Sequence, residues 1–195
     1  MGFMLKKDQH IIGIFVDYHN LMISLREYFT LPYPDISLVK NYAGGLGKIV
    51  IFQVYGDWNL FDKHRKYLKT LGGIKLINEP HMKTNGKKKE LVDMRMAFDI
   101  GVCLERSPEI DLFILVSGDG HFLTVLKQIR IRGKKVLIIA EQNSLNLHLK
   151  KSFAPHILTY QELVESFLKT STKNSKISRL LPSKIEEGVV VYEKY

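Results

Sequence analysis

The sequence holds one cysteine, no long hydrophobic run and fewer acidic than basic residues. The lone Cys103 excludes an intramolecular disulfide and a cysteine-rich zinc site. No apolar run approaches the roughly 20 residues that cross a bilayer, and the first residues lack the small-residue cleavage site of a secretion signal. We therefore expect a cytoplasmic protein with no membrane partner.

A glycine-rich phosphate loop is absent as well. Neither G-x-x-x-x-G-K-S/T nor G-x-G-x-x-G follows the first apolar strand, although such loops cradle phosphates in many nucleotide-binding enzymes. This absence argues against an enzyme that processes nucleotides or other small phosphate compounds, but it does not exclude one. Hydrolysis of small phosphate esters would identify that class.

Positive charge is in excess. The 195 residues include 29 Lys and Arg against 20 Asp and Glu, a formal net charge of +9. Such a balance is typical of proteins that bind nucleic acid or another polyanion, although a generally basic, solvated surface also explains it. The length suits one compact domain. We assign residues 1–170 to that domain and residues 171–195, which begin with a Ser/Thr/Lys-rich run, to a basic linker and C-terminal tail.

Continuous apolar runs alternate with helical patterns along the chain. This alternation predicts an α/β fold, a three-layer α/β/α sandwich with a Rossmann-like, mostly parallel sheet. The strands are predicted at 10–16, 48–55, 74–78, 112–116, 135–140 and 157–159. The main helices are predicted at 19–29, 60–71, 92–105, 121–131 and 161–168, and residues 81–90 are predicted to form a loop. The valine-rich end at 189–191 could add an edge strand or pair across a homodimer.

Two of the predicted strands run directly into polar segments that carry an aspartate, Asp17 and Asp119. Because parallel strands place their carboxyl ends at one edge of a sheet, we expect these two carboxylates to lie close together. Asp93 begins the helix after a basic segment, and a crossover returning to that edge would bring it near. Asp99 lies about 120° further around the same helix and is a weaker candidate.

Each aspartate alone is more simply explained as a helix N-cap or turn residue. Three carboxylates that converge in a basic protein favour instead a site for a divalent cation, since Mg²⁺ prefers oxygen ligands. Such a cation activates a water molecule and neutralises charge on a phosphodiester. The pattern therefore indicates chemistry on a phosphate backbone.

In order and spacing, these motifs resemble those of the NYN domain, a branch of the PIN-like nuclease superfamily, and most closely those of its LabA-like members. The matching segments are Val16-Asp-Tyr-His-Asn20, Lys89-Glu-Leu-Val-Asp93, Ser117-Gly-Asp-Gly-His-Phe122, Gly133-Lys-Lys-Val136, and Ser144 with Leu147. The resemblance spans residues 10–165. It implies a Rossmann-like α/β/α sandwich and an RNA-cleaving site that depends on Mg²⁺ or Mn²⁺.

The resemblance also implies roles for individual residues. Asp17, Asp93 and Asp119 would bind the metal and form the centre of the catalytic site. Asn20 would orient Asp17 or a water molecule in that site. Ser117 would hydrogen-bond a phosphate of the nucleic acid or brace the turn that carries Asp119.

His121 departs from the family pattern, in which Ser-Gly-Asp-Xaa-Asp-Phe carries a second acid at this position. In the catalytic site an imidazole can ligate a metal, and it shifts preference from Mg²⁺ toward Mn²⁺ or Zn²⁺. It can alternatively contact phosphate or shuttle a proton, because its unperturbed pKa is about 6.5. A lost ligand with weakened catalysis is the remaining interpretation.

Basic and aromatic residues near the acidic motifs are candidates for binding nucleic acid. Two aromatic side chains, Tyr18 and Trp58, could stack on unpaired bases of RNA, although partial burial at a strand end is the favoured interpretation for Trp58. A solvated loop without function is as good an interpretation for any single lysine of the basic segment. The lysines proposed to bind backbone phosphates are Lys83, Lys87, Lys88 and Lys89.

Together these features predict a metal-dependent ribonuclease. It would hydrolyse phosphodiester bonds of RNA, expected to be single-stranded, through its aspartate cluster. The alternative is a non-catalytic RNA-binding or regulatory NYN-like module that keeps the fold without turnover. Substitution of Asp119 by asparagine separates the two, because only an enzyme would lose cleavage while it retains RNA binding.

Overall fold

The computed structural model describes residues 9–29, 33–79, 82–84, 87–89, 91–173, 185–186 and 189–190. The strands are β1 (His10–Asp17), β2 (Gly47–Gly56), β3 (Lys75–Asn78), β4 (Met82–Thr84), β5 (Lys87–Lys89), β6 (Leu112–Val116), β7 (Lys135–Ala140), β8 (Ile157–Thr159), β9 (Ile185–Glu186) and β10 (Val189–Val190). The helices are α1 (Tyr18–Phe29), α2 (Ile36–Leu46), α3 (Asp62–Thr70), α4 (Leu91–Arg106), α5 (Leu123–Ile131), α6 (Leu147–Phe153) and α7 (Tyr160–Lys173). None of the helices in the described ranges has the length and apolar character needed to cross a membrane.

Six of these strands form one parallel sheet in the order β3-β2-β1-β6-β7-β8. Strand β1 lies in the middle of the sheet, with β2 and β3 on one side of it. The chain then returns through α4, and β6 pairs with the other side of β1. The connections after β1 and β6 therefore leave in opposite directions along the sheet, and open α/β sheets bind their ligands at such a switch point. Val16 lies opposite Val116 in the register, so Asp17 and Ser117 follow at the same level.

Hydrophobic side chains from alternate positions of the strands cover both faces of the sheet. Ile14 and Val16 of β1 belong to the core cluster formed with α1, α2, α3 and α7. Phe15 belongs to the opposite cluster, formed with α4, α5 and α6. All three side chains are buried, as expected for a central parallel strand that is covered by helices on both faces. The predicted three-layer α/β/α sandwich is confirmed.

The predicted loop at 81–90 was wrong for residues 82–84 and 87–89. Strands β4 and β5 form an antiparallel ribbon in which Lys83 pairs with Lys88. Asn85-Gly86 stands between them in the sequence, and this dipeptide favours two-residue hairpin connections. The strand pattern was missed because lysines occupy four of the six strand positions. Residues 85–86 themselves lie outside the described residues.

The end of the chain differs in part from its prediction. Helix α7 continues to Lys173, beyond the predicted end at residue 168. Strands β9 and β10 pair with each other and are separate from the main sheet, so residues 189–190 add no edge strand to it. Residues 174–184 lie outside the described residues. The division at residue 170 and a homodimer through the tail stay predictions.

Candidate metal centre

Asp17 is the last residue of β1 and its side chain is only 4% exposed. Its carboxylate accepts hydrogen bonds from the backbone N–H of Asn20 (3.0 Å) and from the hydroxyl of Ser117 (3.4 Å). The pKa of Asp17 is raised to about 7, mainly by burial and also by the negative charges of Asp93 and Asp119, against the lowering effect of the two hydrogen bonds. Three carboxylates therefore lie close enough to repel one another at this edge of the sheet.

The turn after β6 is tied to the end of β1 by Asn20 and Ser117. The side-chain oxygen of Asn20 accepts a hydrogen bond from the backbone N–H of Gly118 at 3.1 Å. The Ser117 hydroxyl is fully buried and accepts from the N–H of Asp119 at 3.2 Å while it donates to Asp17. Both hydrogen bonds of the Ser117 hydroxyl therefore lie between the turn and β1, as the bracing alternative expects, and its contact with a phosphate stays a prediction.

Close packing requires glycine at position 118 and favours it at position 120 of the same turn. A Cβ atom on Gly118 would lie 2.9 Å from the backbone oxygen of Ser144, and one on Gly120 would lie 2.6 Å from the side-chain nitrogen of Asn146. The N–H of Asn146 also donates to the Gly118 oxygen at 2.9 Å. The segment before α6 therefore supports the turn that presents Asp119.

Asp93, Asp119 and His121 meet at the mouth of this edge. Asp119 caps the short 3-10 turn Gly120–Phe122 by accepting from the backbone N–H of His121 at 2.9 Å. His121 Nδ1 lies 3.2 Å from Asp93 Oδ2 and 3.3 Å from Asp119 Oδ1. One donor atom from each of the three side chains lies within 4.8 Å of the others, a spacing that can hold a metal ion. The structure thus groups His121, rather than Asp17, with the other two aspartates.

Asp99 has other partners. It accepts a hydrogen bond from the Tyr55 hydroxyl (3.1 Å) and forms an ion pair with Arg95 (3.0 Å), which also contacts Glu79 (3.0 Å). These contacts lie between α4 and the β2–β3 side of the sheet. The weaker candidate is therefore placed in a structural network outside the three-residue group.

The four candidate lysines lie on the β4–β5 ribbon, which immediately precedes α4 in the chain. Lys83 pairs with Lys88 across the ribbon, and Lys89 pairs with Met82. The positions of the lysine side chains lie outside what the structure describes. Their contact with nucleic acid stays a prediction.

The base-stacking role considered for Tyr18 was wrong, whereas the burial favoured for Trp58 is confirmed. Both rings are buried, with their centroids 5.3 Å apart. The Tyr18 hydroxyl is hydrogen-bonded to His64 Nδ1, and Trp58 Nε1 donates to the backbone oxygen of Ile77 at 2.8 Å. Both residues belong to the same hydrophobic core cluster, Tyr18 as the first residue of α1, and are closed to a nucleic acid.

Sequence reasoning missed Glu141. This carboxylate follows β7 directly and is buried, where it accepts hydrogen bonds from the N–H of Ser144 (2.7 Å) and the side-chain amides of Asn143 and Gln161 (both 3.0 Å). It thereby holds the segment that packs on Gly118. An acid immediately after an apolar strand, the pattern that identified Asp17, was the available signal.

Comparison with known families agrees with this arrangement. The model of the NYN domain family matches residues 11–159. The chain belongs to the NYN domain family. NYN domains are part of the PIN-like nuclease superfamily, and NYN nucleases use divalent metal ions. The two carboxylates and the imidazole gathered in this NYN domain, beside buried Asp17, are a donor set that fits such an ion.

Two relatives place the NYN domain in context. It is 28% identical over 145 residues to an uncharacterised protein of Methanocaldococcus jannaschii, covering 74% of this chain and 53% of that protein. The chain therefore spans about half the length of this curated relative. The crystal structure of a protein of unknown function from Vibrio parahaemolyticus superposes with a TM-score of 0.68 at 23% identity, covering 80% of this chain and 96% of the other. That likeness establishes the fold.

Proposed function

We propose that this NYN domain is a metal-dependent ribonuclease of the LabA-like branch that hydrolyses phosphodiester bonds of RNA. The observation that carries the proposal is the meeting of Asp93, Asp119 and His121 beside buried Asp17, at the switch point of the sheet. Carboxylates held this close repel one another, and a divalent cation among them relieves that repulsion. Membership of a nuclease superfamily supports the same chemistry.

The carboxylates and their supports have separate tasks in this proposal. A bound Mg²⁺ or Mn²⁺ would supply an activated water molecule and neutralise charge on the attacked phosphate. Asp17, Asp93 and Asp119 would hold that ion. Asn20 and Ser117 fix the orientation of the Asp17 carboxylate through their two hydrogen bonds. Because these supports are backbone and buried groups, the site is organised before substrate arrives.

We propose single-stranded RNA as the substrate, bound from the open side of the site. His121, which belongs to the proposed catalytic set, has a side chain that is 64% exposed there. The lysine-rich ribbon leads into α4, whose first turn carries Asp93. The lysines of the ribbon therefore directly precede the segment that carries Asp93. In this position their positive charge can attract the backbone phosphates of RNA.

Cleavage of a labelled single-stranded RNA tests the proposal. Metal-stripped protein is assayed with Mg²⁺, with Mn²⁺ and with excess EDTA. We expect cleavage with a divalent cation and none with EDTA. Binding without cleavage in every cation would support instead a non-catalytic RNA-binding or regulatory module. Hydrolysis of a small phosphate ester, with RNA left intact, would support a phosphate-processing enzyme.

Removing charge from the ribbon is expected to weaken RNA binding. The variant replaces three lysines together: Lys87→Gln, Lys88→Gln and Lys89→Gln. For a single-stranded nucleic acid, each lost phosphate contact lowers the slope of log K against log salt by about 0.7. We expect the slope to fall by about 2 and the affinity at low salt to fall with it. Fluorescence anisotropy with labelled RNA at several salt concentrations measures both.

A matched control removes three exposed lysines at the opposite, amino-terminal edge of the sheet. Lys48, Lys75 and Lys135 stand at the starts of β2, β3 and β7 and are changed together to glutamine. A similar loss of slope in this control would mean that total charge, and not the ribbon, governs RNA binding.

A further inference from the structure

We propose that His121 is a direct metal ligand and that it makes this site prefer Co²⁺, Zn²⁺ and, less strongly, Mn²⁺ over Mg²⁺. The inference rests on the proposed function in one respect, because it concerns the cation of the same site. It goes further by naming the ligand that departs from an all-oxygen set and the class of ion that this ligand selects.

The spacing of the donor atoms suits a shared ion. Ligands bound at about 2.1 Å from one cation lie about 3.0 Å apart when they subtend a right angle and about 3.4 Å apart at a tetrahedral angle. His121 Nδ1 lies 3.2 Å from Asp93 Oδ2 and 3.3 Å from Asp119 Oδ1. Both distances fall within the range expected for neighbouring ligands.

The three donors are held by fixed parts of the fold. Asp93 lies in the first turn of α4, and Asp119 and His121 share the turn after β6. The Asp119 carboxylate is held against the turn, because its Oδ1 accepts a hydrogen bond from the backbone N–H of His121 at 2.9 Å. Gly120 keeps that turn closely packed against Asn146. Little reorganisation is therefore needed to bring the imidazole onto an ion.

The chemistry of the donors sets the preference. Mg²⁺ favours oxygen ligands in near-octahedral geometry and releases its water reluctantly. Imidazole nitrogen suits borderline ions, and the affinity of a mixed nitrogen and oxygen site rises from Mn²⁺ to Co²⁺ and on toward the later ions of the series. His121 is 64% exposed, so other coordination positions remain open to water or a phosphate, as in catalytic rather than structural sites.

Calorimetric titration without RNA tests this inference independently of cleavage. Metal-stripped wild type is titrated with Mg²⁺, Mn²⁺, Co²⁺ and Zn²⁺. We expect Co²⁺ and Zn²⁺ to bind on the order of 100-fold more tightly than Mg²⁺, with Mn²⁺ between them. In His121→Asp, which restores an all-oxygen set, Co²⁺ affinity should fall by about tenfold or more while Mg²⁺ affinity rises. The d–d absorption bands of bound Co²⁺ should shift in this variant, since a nitrogen donor is lost.

The matched control is His156→Asp, which makes the same change at an exposed histidine between α6 and β8. It should leave every cation affinity unchanged, and circular dichroism checks that both variants fold. Equal affinities of wild type for Mg²⁺ and Co²⁺, or an unchanged Co²⁺ affinity and spectrum in folded His121→Asp, would overturn the inference even if RNA is cleaved. The expected selectivity in a protein that cleaves no RNA would uphold the ligand assignment and reject the ribonuclease.

Discussion

Replacing Asp119 by asparagine is expected to lower metal-dependent RNA cleavage by about 100-fold or more while changing RNA affinity by less than about threefold. The asparagine oxygen can still accept the hydrogen bond from the His121 N–H that caps the turn. The turn should therefore persist, and the change is confined to the loss of one negative charge and one metal ligand. Single-turnover cleavage and fluorescence anisotropy with the same RNA measure the two quantities.

The same substitution at the other end of the same strand is the control. Asp111 directly precedes β6, is about half exposed, and accepts from the backbone N–H of Ile11 at 3.0 Å. Asp111→Asn should cleave RNA at close to the wild-type rate. Wild-type cleavage by Asp119→Asn would contradict the proposed metal centre. A similar loss in both variants would indicate damage to the fold and not to the site.

Replacing Asp17 by asparagine is expected to stabilise the metal-free protein by about 2 to 4 kcal/mol at pH 8. The pKa of Asp17 is about 7 in the folded state, well above its ordinary value of 3.8. Below the ordinary value both states hold the proton and folding carries no penalty. As the pH rises from about 4 to about 7, the unfolded chain loses its proton first, so the buried carboxylate increasingly disfavours folding. The carboxamide removes this penalty.

Urea unfolding of wild type and variant at two pH values measures the effect. The gain at pH 8 should shrink to about 1 kcal/mol at pH 4.5, because that pH lies only slightly above the ordinary pKa of 3.8 at which the unfolded chain loses its proton. Asp62→Asn is the control with the opposite pKa shift, because the hydrogen bond from Lys66 lowers the pKa of this exposed carboxylate. Replacing the Asp62 carboxylate should therefore give no stabilisation at high pH. A destabilised Asp17→Asn protein at pH 8 would mean that the hydrogen bonds of the carboxylate outweigh the cost of its burial and of its repulsion by Asp93 and Asp119.

An added divalent cation should make wild type more stable than Asp17→Asn, the reverse of the order expected without metal. The cation binds the folded wild type and offsets the repulsion among Asp17, Asp93 and Asp119, so its binding energy adds to stability. Asp17→Asn presents one carboxylate fewer and should gain less. Comparing the stability of wild type and Asp17→Asn with and without the cation therefore tests whether the carboxylate that destabilises the metal-free protein also binds the cation. Such a cost in stability is common at functional sites.

Local sequence patterns determined the strands and their polar ends. Continuous apolar runs identify β1 and β6, and the polar residues that follow them must lie at one edge because all six strands are parallel. This reasoning placed Asp17 and Asp119 correctly at the carboxyl ends of neighbouring strands. It also gave the layer architecture, since strands without polar alternation need helices on both faces.

Only the tertiary structure decided which side chains meet. Asp93 and His121 are 28 residues apart, and their contact depends on where α4 begins relative to the sheet, which no local pattern specifies. The same holds for Asp99, because its hydrogen-bond partner Tyr55 lies on β2, far from Asp99 in the sequence. Burial of Tyr18 follows from packing against Trp58 and His64, which lie about 40 residues or more away in the sequence. Periodicity is a property of neighbours in sequence, whereas a site is made by distances between segments that only the packed fold brings together.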